Sequence, residues 1–240
     1  MRKKILGMLA VCSLTASAQV TIKPQLSAGL SRTYHLKGYN TTVNQNATDS
    51  FTYSADQSFK VESVDADSAV VSMGYAHIQT SQGNALPDLE LLTQHSLVFS
   101  VNRDGTPRHL LNAKELIDAY KVKDSDEDND EYLNYLFSDD YLVSNLSANS
   151  VLELFGKTIE NGRTMQKVGD EEVEVSYRLS ADGHTVEAES EPNPQTVVKK
   201  HFVFGNDGWP VTYSLSTTIN MGEDMGKITL GTDAVLTDAQ

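Results

Sequence analysis

The sequence predicts a mainly β fold of the α+β class: a curved antiparallel sheet, or half-barrel, of about ten strands with a central helical insert covering one face. Three observations lead to this prediction. Apolar and polar residues alternate on both sides of the middle of the chain, Asp-Gly pairs separate several of these segments, and helical composition is confined to residues 111–156. With 240 residues, of which 39% are hydrophobic, the chain can bury the core of one domain.

The N-terminus has the pattern of a secretory signal peptide. Residues 2–4 are basic, residues 5–14 are apolar, and residues 16–18 read Ala-Ser-Ala, which predicts cleavage after Ala18. The apolar run is too short for a bilayer core of about 30 Å, so we expect a cleaved segment rather than a membrane anchor. Lipidation of Cys12 is the alternative, although the apolar run continues beyond it.

Cysteine usage and charge indicate the compartment and exclude one class of partner. Cys12 is the only cysteine, so the cleaved chain would contain no disulfide, which is typical of a bacterial exported protein. We therefore expect the periplasm or the extracellular space of a Gram-negative bacterium. Removal of three basic residues changes the net charge from -14 to -17, and such a chain repels nucleic acid.

Period-two alternation predicts the strands on either side of the insert. The clearest example is 211–219, where apolar residues at odd positions alternate with Ser and Thr. Lys200 interrupts the apolar face of another such segment, 198–204. Further segments of this type lie at 71–75, 97–101, 173–179 and 228–234.

Glycine-containing pairs predict the turns between these strands. Asp104-Gly105, Asp182-Gly183 and Asp207-Gly208 have the composition of hairpin turns, and Asn161-Gly162 is a fourth candidate. Connections this short leave no room for crossover helices, so we expect every strand to be antiparallel to its neighbours.

The central insert contains three predicted helices, at 112–120, 130–137 and 147–155, the last with Ser147 as a candidate N-cap. No stretch of linker composition separates the insert from the flanking strands. We therefore predict a single domain over residues 19–240, with the insert at about 111–156.

No local motif indicates catalysis, a cofactor or a metal. The six histidines form no HExxH or HxH pattern, and the chain has no GxSxG elbow, phosphate-binding glycine loop or isolated carboxylate pair. We therefore expect a protein that is not an enzyme and binds no cofactor. Hydrolysis by residues that are distant in sequence is a third hypothesis that no motif supports.

The acidic run 124–131 leaves two interpretations open. Carboxylates at alternate positions suit calcium, but an EF-hand loop starting at Asp124 would need Gly and Glu where Asn129 and Tyr135 stand. The alternative is a solvated loop whose last acids lie near a helix N-terminus, where the helix dipole favours them.

The order of features resembles that of a known group of proteins. Three motifs carry the resemblance: TYHLKG at 33–38, FSVNRDG at 99–105 and NDGWPV at 206–211. The chain resembles uncharacterised exported proteins of Gram-negative bacteria and, in layout, the LolA/LolB-like half-barrel proteins. That resemblance implies acyl chains bound between a curved sheet and helices. The negative charge and the long acidic loop depart from it.

Two hypotheses for function follow from this layout. The first is a monomeric, non-catalytic binding protein that holds a lipid or another hydrophobic ligand between sheet and helices. Its candidate ligand-binding residues are Phe99, Val101, Leu116, Tyr120, Phe202, Phe204, Trp209, Tyr213 and Leu215. Trp209 could instead pack in the core or at its rim. The alternative is a structural or interaction protein of the periplasm or cell surface, with a solid core and a partner on its hydroxyl-rich outer face.

Overall fold

A computed structural model of the chain describes residues 19–44, 47–83, 87–123, 130–141, 144, 146, 150–168, 171–222 and 226–239. The predicted signal peptide and most of the candidate calcium loop lie outside these residues.

The described residues include thirteen strands and three uninterrupted helices, and the predicted mainly β class is confirmed. The strands are β1 (Gln19–Thr21), β2 (Ser31–Val43), β3 (Thr48–Val64), β4 (Ser68–Thr80), β5 (Leu97–Asn102), β6 (Pro107–Leu110), β7 (Thr158–Glu160), β8 (Gly162–Val168), β9 (Glu171–Leu179), β10 (Thr185–Asn193), β11 (Thr196–Phe204), β12 (Pro210–Asn220) and β13 (Lys227–Ala239). The helices are α1 (Pro87–Gln94), α2 (Ala113–Lys123) and α3 (Asp130–Leu136).

Eleven of these strands form one curved, open, antiparallel sheet in the order β6-β5-β4-β3-β2-β13-β12-β11-β10-β9-β8. Strands that are consecutive in sequence are neighbours everywhere except in the middle, where β2 pairs with β13 over twelve residue pairs. The sheet therefore consists of two meanders that meet at this pairing, which we call the seam. A separate two-stranded ribbon pairs β1 with β7.

Three of the four predicted turns connect neighbouring strands, as expected: Asp104-Gly105, Asp182-Gly183 and Asp207-Gly208. Gly208 has a φ of +76°, and a Cβ atom there would lie 2.2 Å from the carbonyl oxygen of Lys23. Only glycine combines this backbone conformation with so close an approach. Asn161-Gly162 is not a hairpin turn, because β7 pairs with β1 rather than with β8.

One face of the sheet, the inner face, carries the buried core. Tyr34 and Leu36 of β2 are buried while Lys37 is exposed, and the alternation continues across the sheet. Phe99 of β5 and Val186 of β10 belong to the same hydrophobic cluster although six strands lie between theirs. The curvature of the sheet therefore brings distant strands around one core. Each fully buried aliphatic or aromatic side chain contributes about 1.5–3 kcal/mol to the stability of this core.

Two chain segments, 19–30 and 150–159, lie over the core, and together we call them the cover. The N–H of Ile22 donates to the carbonyl of Lys157 (3.0 Å), and the N–H of Gln25 donates to the carbonyl of Asp207 (2.7 Å). Phe155 packs edge-to-face on Trp209 with ring centroids 5.2 Å apart. The cover is therefore held by backbone hydrogen bonds and by apolar packing at the same time.

The three helices pack together at one edge of the sheet. Leu91, Leu116, Leu133 and Phe137 form a second hydrophobic cluster. It contacts the core through Leu97 and Leu110, which pack against both clusters. The helices thus continue the core beyond β5 and β6, and the part of the predicted insert that covers the middle of the inner face is its last segment, 150–156.

The helix predicted over 147–155 is replaced by turns in the residues that the structure describes. The N–H of Phe155 donates to Leu152 (3.0 Å) and the N–H of Lys157 donates to Leu154 (3.1 Å), which are bonds between residues three apart. All five residues of 151–155 are buried. A regular helix cannot bury five consecutive side chains against a single sheet face, whereas tight turns can.

Candidate functional site

An apolar part of the inner face lies beyond the cover, and we call it the open patch. It is formed by Phe51, Val198, Leu215, Ile219, Ile228 and Leu230. All six are on the core-bearing side of their strands, because their Cα partners continue the rows of the buried residues. Leu215 packs against the core, whereas the other five belong to neither hydrophobic cluster. Leu230 is 38% exposed.

A buried ion pair marks the border between the cover and the open patch. Lys200 of β11 donates from Nζ to both carboxylate oxygens of Glu153, at 2.8 and 2.9 Å. The side chains are 15% and 6% exposed. Lys200 is the lysine that interrupts the apolar face of 198–204, and Glu153 lies in the apolar run of the cover. The pair therefore joins the last turn of the cover to the sheet.

Burial perturbs the ionisation of the groups around this pair. Desolvation raises the pKa of Glu153, and the charge of Lys200 opposes this shift without cancelling it. Desolvation also lowers the pKa of Lys157, with Glu153 opposing and Lys200 reinforcing the change. Two lysines and one carboxylate thus share a site that excludes much of the surrounding water.

Tyr213 reaches the same border from β12. Its side chain is buried, and its hydroxyl has no hydrogen-bond partner among the described residues. Burial raises the pKa of this hydroxyl, and the nearby groups Glu153 and Tyr53 raise it further. A buried hydroxyl without a partner is uncommon in native proteins, so this atom is a candidate ligand contact.

An aromatic ring covers one glycine beside the open patch. A Cβ atom on Gly38 would lie 1.9 Å from the ring of Tyr53, so this ring lies flat over the glycine on the inner face. The Tyr53 hydroxyl lies 3.4 Å from Oγ1 of Thr232 on the next strand but one. The ring of Tyr53 therefore lines the border of the patch and lies parallel to the sheet.

The structure brings most of the sequence-predicted ligand-binding residues together. Phe99, Val101, Phe202, Phe204, Trp209, Tyr213 and Leu215 contribute to the core cluster, whereas Leu116 and Tyr120 lie in the helical cluster. Only Leu215 of this set is also part of the open patch. Their role in binding stays a prediction, and the structure separates the two helical residues from the other seven.

The space under the cover is nearly filled. A void of about 10 Å³ remains between Phe99, Val101, Phe155 and Trp209, together with four neighbouring residues. This is at the lower limit for a single water molecule. Any ligand of lipid size would therefore have to displace the cover or bind outside it.

Histidine–carboxylate pairs occur on the outer face and on the helical edge. His35 and His77 both place Nδ1 against Asp56, at 2.9 and 2.7 Å. Within the described residues, no group of three or more His, Cys, Asp or Glu side chains is arranged to hold a metal ion. No helix among these residues is long and apolar enough to span a membrane.

Comparisons with known proteins define no family for this chain. No family model and no curated protein matches it. Among solved structures, it is similar to a structure titled "Lipid-protein interactions in lipovitellin", with 8% identity, a TM-score of 0.48, and coverage of 90% of this chain. The chain spans only 26% of that lipovitellin chain.

Two other solved structures match over most of their length. An S-type phycobiliprotein lyase from Guillardia theta has 10% identity and a TM-score of 0.26, with coverage of 89% of this chain and 90% of the lyase. A DUF1329 family protein from Desulfovibrio piger has 7% identity and a TM-score of 0.20, with coverage of 88% of each chain. With TM-scores below 0.5, none of these three likenesses supports an inference about function.

Proposed function

We propose that this protein is an exported, non-catalytic binding protein that holds a hydrophobic ligand on the open patch. The observation that carries the proposal is the group of apolar side chains on the inner face that neither hydrophobic cluster includes. A curved sheet gives this group a concave surface, and concave apolar surfaces are the usual sites for small hydrophobic molecules. A hydrocarbon chain would gain about 25 cal/mol for each Å² of apolar surface removed from water.

The dense packing under the cover favours the open patch as the ligand site over the space between the sheet and the cover. Binding there would require the cover to leave Trp209 and Phe155, whereas the open patch is accessible without rearrangement. The ligand is thus expected next to the Glu153–Lys200 pair, which closes the buried side of the patch.

Native mass spectrometry of the protein purified from its own cell envelope tests the proposal. We expect a fraction of the protein to carry an additional mass that organic extraction removes. A bare polypeptide mass, together with no binding of an apolar fluorescent probe to the extracted protein, would reject it.

A matched pair of variants on one strand locates the site. Leu230→Glu places a charge in the open patch, and Val235→Glu places the same charge on the outer face of β13, where Val235 is 50% exposed. We expect the first variant to reduce binding of the apolar probe at least tenfold and the second to leave it unchanged. Equal effects of the two would place the site elsewhere.

A second candidate function, an interaction protein, is favoured by a polar depression on the outer face. The depression has a volume of about 340 Å³ and is lined by charged and hydroxyl side chains that include Arg178, Glu187, Lys199 and Ser214. Hydroxyl and charged groups at this spacing suit a peptide or a glycan rather than a lipid. Crosslinking in cells followed by affinity purification tests this candidate, and the absence of any reproducible partner would count against it.

A further inference from the structure

The outer face of the sheet carries an aromatic ring that lies flat beside the polar depression. A Cβ atom on Gly231 would lie 2.3 Å from Cζ of Tyr39, so this ring covers the glycine. Tyr39 is two residues from the exposed Lys37 on β2, and alternate residues of a strand share one face. One side of the ring is therefore packed on the glycine, while the residue remains partly exposed to solvent.

The register of the strands joins this ring to the depression in one row. Tyr39, Gly231, Ser216, Lys199 and Glu189 are successive Cα partners on β2, β13, β12, β11 and β10. The last three of these residues line the depression. Neighbouring members of such a row are about 5 Å apart, so the ring and the depression form one continuous surface. The hydroxyl groups of Tyr39 and Ser216 have no hydrogen-bond partner in the part of the chain that the structure describes.

Four charged side chains of the depression pair with one another. Arg178 donates to Glu187 over 3.1 Å. Lys199 lies 3.3 Å from Glu189 in the same way. The two pairs place hydrogen-bond donors and acceptors side by side and add no net charge that would select an anion or a cation. This part of the outer face therefore suits an uncharged ligand whose groups both donate and accept hydrogen bonds.

The strands beneath the depression do not suit the usual modes of peptide binding. Each of β9 to β13 has a neighbouring strand on both sides, so none offers free backbone groups to which a peptide strand could add. Peptides otherwise depend on apolar anchors in pockets. Among the described residues that line the depression, Ala188 is the one apolar residue. A sugar needs neither feature, because its hydroxyl groups match paired donors and acceptors and its C–H groups pack on an aromatic face.

We propose that the outer face binds a neutral glycan, with one pyranose ring on Tyr39 and the next hydrogen-bonded to Ser216, Lys199 and Glu189. The volume of the depression, about 340 Å³, lies in the range of small-ligand sites. This inference rests on the second candidate function, because it names the class of partner that the outer face takes. It is independent of the hydrophobic ligand on the open patch, which lies on the opposite face of the sheet.

An array that displays neutral glycans, acidic glycans and extended peptides tests the inference with the extracted, full-length protein. We expect binding to a subset of the neutral glycans. Binding to acidic glycans or to peptides alone would overturn the inference and leave an interaction function intact. Binding to none of the three classes would overturn both, and binding of the apolar probe would still test the open patch separately.

Three variants and one control assign the glycan to the named residues. We expect Tyr39→Ala to weaken binding of the selected glycan about tenfold and Tyr39→Phe, which keeps the ring, to change it by less than about twofold. Lys199→Gln alters an exposed side chain and should weaken binding about fivefold without affecting the fold. Tyr135→Ala is the control, because Tyr135 is 60% exposed on α3, far from this row in the sheet order. Unchanged glycan binding in Tyr39→Ala and Lys199→Gln, or an equal loss in Tyr135→Ala, would contradict the proposal.

Discussion

Two single residues that break the pattern of their segments define the candidate site. Lys200 stands on the apolar face of a strand, and Glu153 stands in an apolar run. Each exception is visible in the sequence, because a charged residue among apolar neighbours is either exposed or paired. The sequence does not show that they pair with each other, since 47 positions separate them and local patterns carry no information about that contact.

His77 is a residue under backbone strain. Its φ is +52°, and it lies where the register between β3 and β4 shifts at a bulge. Glycine removes the strain of this conformation, whereas alanine retains it. We expect His77→Gly to be more stable than His77→Ala by about 1 kcal/mol in urea unfolding. Equal stabilities would show that the bulge relaxes when the histidine is absent.

The carboxyl group of Asp56, on the outer face, makes the stability of the protein depend on pH. Hydrogen bonds from His35 and His77 hold the pKa of its carboxyl below the usual value. The folded form therefore loses its proton more readily than the unfolded form, so the carboxylate stabilises the protein above pH of about 4. That contribution is lost as the pH falls through the lower folded-state pKa.

Replacement of this carboxylate should reduce the loss of stability in acid. The Asp56 side chain is 30% exposed, so we expect Asp56→Asn to cost less than about 1 kcal/mol at neutral pH. The difference from the unmodified protein should vanish towards pH 2. Chemical unfolding at a series of pH values measures it, and a constant difference over the whole series would contradict the assignment.

At the scale of elements, the turns of the cover and the sheet are coupled through the Glu153–Lys200 pair. Loss of one partner leaves a buried charge alone, which typically costs about 3–5 kcal/mol, while replacing both by apolar residues is often neutral or stabilising. We therefore expect Lys200→Met to be strongly destabilising, and Glu153→Leu combined with Lys200→Met to restore most of the loss. Thermal unfolding of the double-mutant cycle tests this coupling, and additive effects would contradict it.

The elements also show where sequence patterns are informative. Strands such as β12 and turns such as Asp207-Gly208 were predictable, because alternation and positive φ are local properties. The segment 151–155 was misassigned as a helix because its composition is apolar, whereas burial of all five residues is decided by the sheet beneath it. Helix α1 begins at Pro87, a favoured first position, but eight residues give too short a periodic signal to identify it.

For the whole molecule, the mainly β class and the antiparallel sheet were predictable, and the seam between β2 and β13 was not. Every other pairing in the large sheet joins consecutive strands, which short turns imply. The seam joins residues such as Gly38 and Thr232, and alternation cannot indicate partners so far apart. The open patch depends on this pairing, because its residues lie on strands of both meanders.

We expect substitutions that break backbone hydrogen bonds to destabilise the protein most at the seam. Proline at Thr232 removes a backbone donor from a strand that has neighbours on both sides, and we expect it to cost at least about 3 kcal/mol. β8 is an edge strand, and the N–H groups of Thr164 and Met165 point in opposite directions. One of Thr164→Pro and Met165→Pro should therefore be tolerated. Urea unfolding of the three variants compares them, and a mild effect of Thr232→Pro would show that the meanders are stable alone.

The long separation of β2 and β13 along the chain has a consequence for biosynthesis. A ribosome adding about 5–20 residues per second needs on the order of 10–40 s to pass from the end of β2 to β13. Throughout that interval β2 presents one row of unpaired amide and carbonyl groups, to which strands of other nascent chains can add. A chaperone that binds the nascent chain over this period would prevent such aggregation.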